Sequence, residues 1–193
     1  MNPPAPKAGK LTDSCRYMTN PFEIFPTLNT SRLTLRQFNL KDAGQLLFLR
    51  SDDEVNKFIK RQTPREIQDA IDFVKKIHQT YEQRENVNWV ITLKNDPEMI
   101  GSICLWNFSA DRKTGEVGYD LHPSFQNKGI MTEALKAVLY FGFYLLNLEK
   151  IVAFTHHENE NSKNLLIKNG FKLQDEEIDP DNEDNIIFSI SKS

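Results

Sequence analysis

Apolar residues recur along this chain with two different periods, and the changes of period divide it into elements. Residues 32–38 alternate, with Leu33 and Leu35 on one face and Thr34 and Arg36 on the other, which predicts a strand. Asn39 and Asp42 then introduce a helical run through Leu46, Leu47 and Leu49. Thr63-Pro64-Arg65-Glu66 has the form of a helix start, with Thr as N-cap, Pro at the first position and Glu three residues after the cap. Behind it Ile67, Ala70, Ile71, Val74, Ile77 and Tyr81 fall at helical spacing. The alternating period returns over 88–93 and, past the turn Lys94-Asn95-Asp96-Pro97, over 99–108. A further turn at 111–115 leads to a third strand, 116–121. The loop 122–128 opens a long helix whose Ala134, Leu135, Val138, Leu139, Gly142 and Leu145 make one stripe. Residues 150–155 read as a strand and 162–168 as a short helix stopped by Asn169-Gly170. Two strands, 171–177 and 186–191, close the chain. The order β, two or three helices, βββ, α, β, α, ββ predicts a mixed α/β (α+β) domain with one central sheet.

Composition narrows the function classes. At 193 residues the chain has the length of one ordinary domain. Residues 1–20, rich in Pro, Lys, Ser and Thr, read as a disordered tail ahead of a single domain over 21–193, with Met18 as an alternative start. A net charge of −3 argues against a nucleic-acid or anionic-membrane binder, which needs a basic excess on one face. No run approaches the roughly 18 apolar residues of a membrane span. The first 20 residues lack the apolar centre of a secretory signal, so a cytoplasmic location is expected. Cys15 and Cys104 lie far apart, one in the polar start and one inside a strand, so no disulfide is expected.

The informative stretch runs from Glu116 through Val117-Gly118-Tyr119-Asp120-Leu121 and a loop to Gly129-Ile130-Met131-Thr132. A strand passes through a loop into a long helix. A helix N-terminus leaves N–H groups unpaired and carries partial positive charge, so it suits a pyrophosphate. Gly129 lets backbone approach phosphate without a Cβ. Gln126, Asn127 and Lys128 add donors at the same place. These cues alone equally describe an ordinary turn and helix cap. A second element, Asn159-Glu-Asn-Ser162 followed by Lys168-Asn-Gly170-Phe171, joins a strand end, a polar turn and a short helix.

Together, in this order and at these distances, the elements resemble the GNAT N-acetyltransferases, and within them the ribosomal-protein N-terminal acetyltransferases. Leu28-x-Thr-x-Arg32-Leu-x-Leu-Arg36 is similar to the opening of that branch. Gly101 matches its usual glycine, Glu116-Val-Gly-Tyr119 its catalytic strand, Gln126-x-x-Gly129-x-Met131 its acetyl-CoA signature, and Asn159-x-x-Ser162 its closing helix. Met131 departs from the Gly or Ala preferred there. The resemblance implies a central, mostly antiparallel sheet with one parallel, splayed strand pair and helices on both faces. It further implies acetyl-CoA in the wedge of that pair, with the backbone at Leu121 along the pantetheine, 126–132 (Ile130 and Thr132 included) on the pyrophosphate, and Asn159 reaching from the other side. A free N–H near Tyr119 or Asp120, at a β-bulge, would hold the thioester oxygen.

The acceptor amine must be neutral to attack. An α-amine titrates at about 7.7–8.0 and a lysine at about 10.4, so a base is needed. By the same resemblance Glu116 is that base and Ser162 protonates the departing thiolate; the alternatives are a solvent-facing strand residue and a helix cap. Direct attack by the amine is expected, without an acyl-enzyme. His156-His157-Glu158 looks metal-like, but adjacent strand residues point to opposite faces, so no metal site is expected. His122 is read as a surface residue near the cofactor turn, Cys104 as a small core residue, and Trp89 and Trp106 as packing residues, the latter at the acceptor edge. The acidic run over 175–184 reads as a solvated loop, or as a rim attracting a cationic acceptor. The acceptor is expected to be a protein N-terminal amine, with a small amine such as a polyamine, amino acid or drug as the alternative. A non-catalytic acyl-CoA-binding module and a nucleotide-binding protein are the competing classes; the latter lacks the glycine patterns of phosphate loops. A homodimer is possible.

Overall fold

The computed structural model describes residues 22–192. The sequence readings for 1–20, including Cys15 and Met18, lie outside the described residues. The chain opens with β1 (Leu28–Asn29) and β2 (Leu33–Arg36), an antiparallel hairpin of which only the second strand was expected. Asn39 and Asp42 cap one another across a short 3-10 turn, and α1 (Ala43–Ser51) follows. Next come α2 (Asp53–Asn56), whose Asp52 cap accepts the Val55 N–H at 2.9 Å, and α3 (Ile67–Glu82). The latter begins later than the Thr63-Pro64 signal predicted. The Asp69 carboxylate accepts the N–H groups of Arg65 (2.7 Å) and Glu66 (3.3 Å), so the helix is capped there instead.

Strands β3 (Val87–Leu93), β4 (Asp96–Trp106) and β5 (Thr114–Leu121) form the antiparallel centre. Then come α4 (Ile130–Tyr144), β6 (Lys150–His156), α5 (Glu160–Lys168), β7 (Lys172–Leu173) and β8 (Asn185–Ser191). The predicted strand 171–177 shrinks to the two residues of β7. It lies at the sheet edge, where only Lys172 and Leu173 find partners on β8 before the acidic loop departs.

All eight strands make one sheet in the order β1-β2-β3-β4-β5-β6-β8-β7. Every neighbouring pair is antiparallel except β5 and β6. Helices cover both faces, and β3 shows why its sequence is apolar without a break. Trp89 and Ile91 pack into the core shared with α4, whereas Val90, between them, packs against α1 and α3; all three are fully buried. Trp89 also donates its indole N–H to the Pro26 carbonyl at 2.6 Å. Among the described residues no helix is long and apolar enough to cross a membrane.

Candidate active site

The site begins with a defect in the sheet. Pairing between β5 and β6 covers only Thr114, Gly115 and Glu116 opposite Lys150, Ile151 and Val152. Beyond that point the two strands splay. The bond from the His122 N–H to the Ile100 carbonyl (2.9 Å) fixes the phase of the β4–β5 ladder. Since facing residues alternate, Glu116, Gly118 and Asp120 turn their backbone groups toward β4, while Tyr119 and Leu121 turn theirs into the gap left by β6. Two expectations change. The ladder runs in register from Gly101–Leu121 to Trp106–Glu116 with no bulge, and the irregularity lies instead between Ile91 and Leu93. The N–H facing the gap is that of Tyr119, not of Asp120.

A cleft of about 550 Å3 fills this wedge, lined by Tyr119, Leu121, Gln126, Gly129 and Thr132 on one side and by Asn159 and Ser162 on the other. The turn before α4 has left-handed backbone at Asn127 (φ 59°) and Gly129 (φ 72°). A Cβ on Gly129 would meet nothing closer than Arg32 Nη2 at 3.6 Å, so conformation rather than space calls for glycine. No side chain caps α4, which leaves its first N–H groups unclaimed by the helix end. Ile130 and Met131 bury their side chains in the core, so the unusual Met131 turns only backbone toward the turn. The Gln126 amide donates to the Leu121 carbonyl at 3.1 Å and braces the loop, and the residue lines the cleft. Unpaired N–H groups and left-handed turns form a cradle suited to a pyrophosphate, while the Lys128 ammonium lies 5.7 Å from the centre of the Phe125 ring.

Glu133 holds this turn in place. Its carboxylate accepts from Thr30 Oγ1 (2.5 Å), Ser31 Oγ (2.9 Å), the Arg32 N–H (2.8 Å) and Arg32 Nε (2.6 Å). Arg32 Nη1 in turn donates to the Lys128 carbonyl at 3.0 Å. Burial alone would raise the Glu133 pKa, but the hydrogen bonds outweigh it and bring the group down to about 2. Thus the β1–β2 turn is bolted to the first turn of α4.

At the far side Asn159, not Ser162, is the N-cap of α5, its Oδ1 accepting the Ser162 N–H at 3.1 Å. The capping alternative for Ser162 therefore falls. Its hydroxyl lies 2.8 Å from Tyr119 Oη, so β5 and α5 are joined by this bond across the wedge. Burial pushes the Tyr119 phenol up to about 12, against the Ser162 hydrogen bond, so it stays protonated near neutrality.

A second, larger cleft of about 970 Å3 lies on the α1–α3 face and shares Ile59, Tyr119 and Asp120 with the first. Its floor is the set of β4–β5 side chains that point that way: Ser102, Cys104 and Trp106 opposite Asp120, Gly118 and Glu116. Small residues at the centre leave the room; a Cβ on Gly118 would come within 3.3 Å of Cys104 Sγ. Burial raises the carboxyl of Glu116 above its ordinary value despite the Asn107 amide donating to it at 3.1 Å, and the charge of Asp179 raises it further. Asp120 is spoken for: it accepts from the Ser102 hydroxyl (2.7 Å) and N–H (3.1 Å) and from Arg61 (3.1 Å). Cys104 keeps its proton, its thiol raised to about 12 by burial. Trp106 edges the cleft and is 45% exposed.

Elsewhere the structure sorts the remaining candidates. His122 stacks on Phe48 and lines neither cleft. His156 and His157 do not diverge as predicted, because β6 ends at His156; their rings stack at 4.7 Å and lie with Asp184 within 4.8 Å. The His156 Nδ1 accepts the Glu158 N–H (3.1 Å) and Asp184 is paired with Lys60 (2.9 Å), so two of those three groups are already engaged. In the acidic loop Glu177 binds Lys150, Asp184 binds Lys60, and buried Asp179 accepts from Asn185. Asp175, Glu176, Asp181 and Glu183 face solvent.

Comparison with known proteins agrees with this geometry. Residues 32–172 match the family described as acetyltransferase (GNAT) domain. The chain is 31% identical to the uncharacterized N-acetyltransferase YoaA of Bacillus subtilis over 151 residues, covering 78% of this chain and 85% of that protein. Shorter matches are spermidine N(1)-acetyltransferase of Escherichia coli (30%, covering 58% of this chain and 55% of that one) and its ribosomal-protein-serine acetyltransferase (32%, covering 48% and 51%). Among solved structures, a GNAT-family acetyltransferase from Bacillus anthracis superposes with a TM-score of 0.72 at 25% identity, covering 86% of this chain and 98% of that one.

Proposed function

The chain belongs to the GNAT family and is an acetyl-CoA-dependent N-acetyltransferase, and from that premise we propose that its acceptor is the α-amine of a protein or peptide N-terminus. The observation that carries this reading is Glu116, a half-buried carboxylate with a raised pKa on the wall of the larger cleft, which opens into the smaller one at Tyr119. A raised pKa makes Glu116 a stronger base toward either ammonium, and an α-amine at about 8 gives up its proton more readily than an alkylamine at about 10.4. The cleft is also wide enough to admit a chain end.

In this reading acetyl-CoA lies in the wedge, with its pyrophosphate on 126–132 and its arm between Leu121 and Asn159. Glu116 takes the proton of the bound ammonium, directly or through water. The amine attacks the thioester carbon, and the Tyr119 N–H holds the oxygen as it gains charge. The C–S bond then breaks as the hydrogen-bonded Tyr119–Ser162 pair delivers a proton to the leaving thiolate, and the proton that the new amide nitrogen sheds passes through water to restore the pair, while the proton on Glu116 leaves to solvent. The match to spermidine N(1)-acetyltransferase supports a small amine as the second reading. Purified protein with acetyl-CoA, a set of N-terminal peptides and spermidine separates the two by thiol release and mass spectrometry of the products. Acetylation confined to peptide α-amines is the expected result; turnover of spermidine alone would overturn the proposal.

A further inference from the structure

The larger cleft holds a cation that no hydrogen bond among the described residues engages. Arg50, on α1, lines the cleft with its guanidinium 4.0 Å from the centre of the Phe73 ring. Its neighbour Arg61 is fully committed, donating to Asn56 (2.7 Å), Asp120 (3.1 Å) and the Leu49 carbonyl (3.1 Å). Asp120 is thereby neutralised. Arg50 has no such partner: among the described residues no carboxylate or carbonyl accepts a hydrogen bond from it. Burial, and after it the charge of Arg61, outweigh the attraction of Asp120 and lower its pKa to about 10, so it remains charged at neutral pH.

An arginine left half-buried without an acceptor has a cost that a surface arginine escapes, because its donors are partly removed from water. Stacking on Phe73 fixes the plane of the fork and leaves its N–H edge for the cleft. Lys76, one turn beyond Phe73 on α3, lines the same wall and adds a second positive charge. Glu116 supplies negative charge from the floor of the cleft. The cleft is therefore bipolar, with a carboxylate for the reacting amine and a planar cation for something else.

We propose that the acceptor carries a carboxylate in addition to its amine, and that Arg50 binds it. This rests on the larger cleft being the acceptor site. The carboxylate has two possible sources, an acidic side chain close behind a peptide N-terminus or the side chain of a free acidic amino acid. A polyamine offers Arg50 and Lys76 only like charge.

The test is a ratio of kcat/KM within matched pairs: a Ser-Glu-initiated peptide against the same peptide with Gln, and free glutamate against glutamine. Wild-type protein should prefer the acid by about tenfold or more in at least one pair, the scale of a charge-assisted bidentate contact. Arg50→Gln should bring that ratio to within about twofold of unity, and Arg50→Lys, which keeps a point charge without the fork, should fall between. A ratio cancels losses from misfolding, and acetyl-CoA titration checks that each variant is folded. Preference in the peptide pair identifies an acidic N-terminus as the source. Preference only in the amino-acid pair keeps the carboxylate proposal and overturns the peptide-terminus reading. Peptide acetylation indifferent to Glu or Gln does the reverse. A preference that survives Arg50→Gln, or turnover of spermidine alone, overturns the role of Arg50.

Discussion

Replacing Glu133 with Gln tests whether the cofactor turn is held from outside its own segment. Glu133 accepts four hydrogen bonds from Thr30, Ser31 and Arg32, and its side chain is only 17% exposed. The fall of its pKa from 4.5 to about 2 corresponds to about 3 kcal/mol at 1.36 kcal/mol per tenfold change in proton affinity. Solvent at the carboxylate edge and the ordering of Arg32 reduce that to about 1–2 kcal/mol. Glutamine keeps one acceptor oxygen but turns an N–H2 group toward donors of the hairpin. The melting temperature should therefore fall by roughly 3–6 °C for a domain of this size. The pKa is depressed in the fold, so the stabilisation is full above the unfolded carboxylate's 4.5 and is lost as pH falls through about 2. More than half of the gap between wild type and Glu133→Gln, read from urea midpoints, should vanish between pH 7 and pH 3. Because Arg32 also holds the Lys128 carbonyl, acetyl-CoA should bind the variant several-fold more weakly in calorimetric titration. Equal melting temperatures, or a gap unchanged at pH 3, would refute the anchor.

Three further perturbations address the chemistry. Glu116→Gln should lower kcat by about 100-fold at neutral pH while acetyl-CoA affinity holds, since the carboxylate lies in the acceptor cleft; unchanged turnover would hand the base role to another residue or to water. In wild type the rate should fall as pH drops through the raised Glu116 pKa, a limb that Glu116→Gln removes. Tyr119→Phe and Ser162→Ala should each slow turnover about tenfold or more, and the double variant should cost less than the product of the two, because they share one hydrogen bond. Loss of thermal stability without loss of rate would make that bond structural. Gly129→Ala should weaken acetyl-CoA binding several-fold through about 1 kcal/mol of left-handed backbone strain, with Gly129→Asn milder.

What could be read ahead of the fold was whatever has a local cause. Strand and helix periods located the elements from β2 onward, and the glycine turn before α4 announced its own conformation. A helix cap stood as the alternative role for Ser162 because Asn159 and Ser162 are both good caps three residues apart, and only the bond from the Ser162 N–H to Asn159 separates them. Arg32 and Glu133 both sit in motifs visible in the sequence, yet 101 positions separate them and neither motif says that it binds the other. The splay of β5 and β6 was expected from the resemblance, but the free N–H was expected at a bulge; it comes instead from β6 departing after Val152, a property of two strands and not of either.

One strand explains why two clefts meet where they do. The side chains of Glu116, Gly118 and Asp120 share one face of β5 and build the floor of the larger cleft, the proposed acceptor site, while Tyr119 and Leu121 turn backbone groups into the gap left by β6. In the proposed reaction the acceptor lies on the α1–α3 face and the donor in the gap between β5 and β6, and the two clefts meet at Ile59, Tyr119 and Asp120. That arrangement requires β6 to leave early, or its backbone would pair with Tyr119. It also requires Gly118, since a larger residue would meet Cys104 and fill the floor. A Gly118→Val substitution should consequently abolish transfer to any bulky amine while leaving acetyl-CoA binding intact, because the side chain enters only the acceptor side. If acetyl-CoA binding were lost as well, the two clefts would not be separable across the strand, and the division of labour along β5 would be wrong.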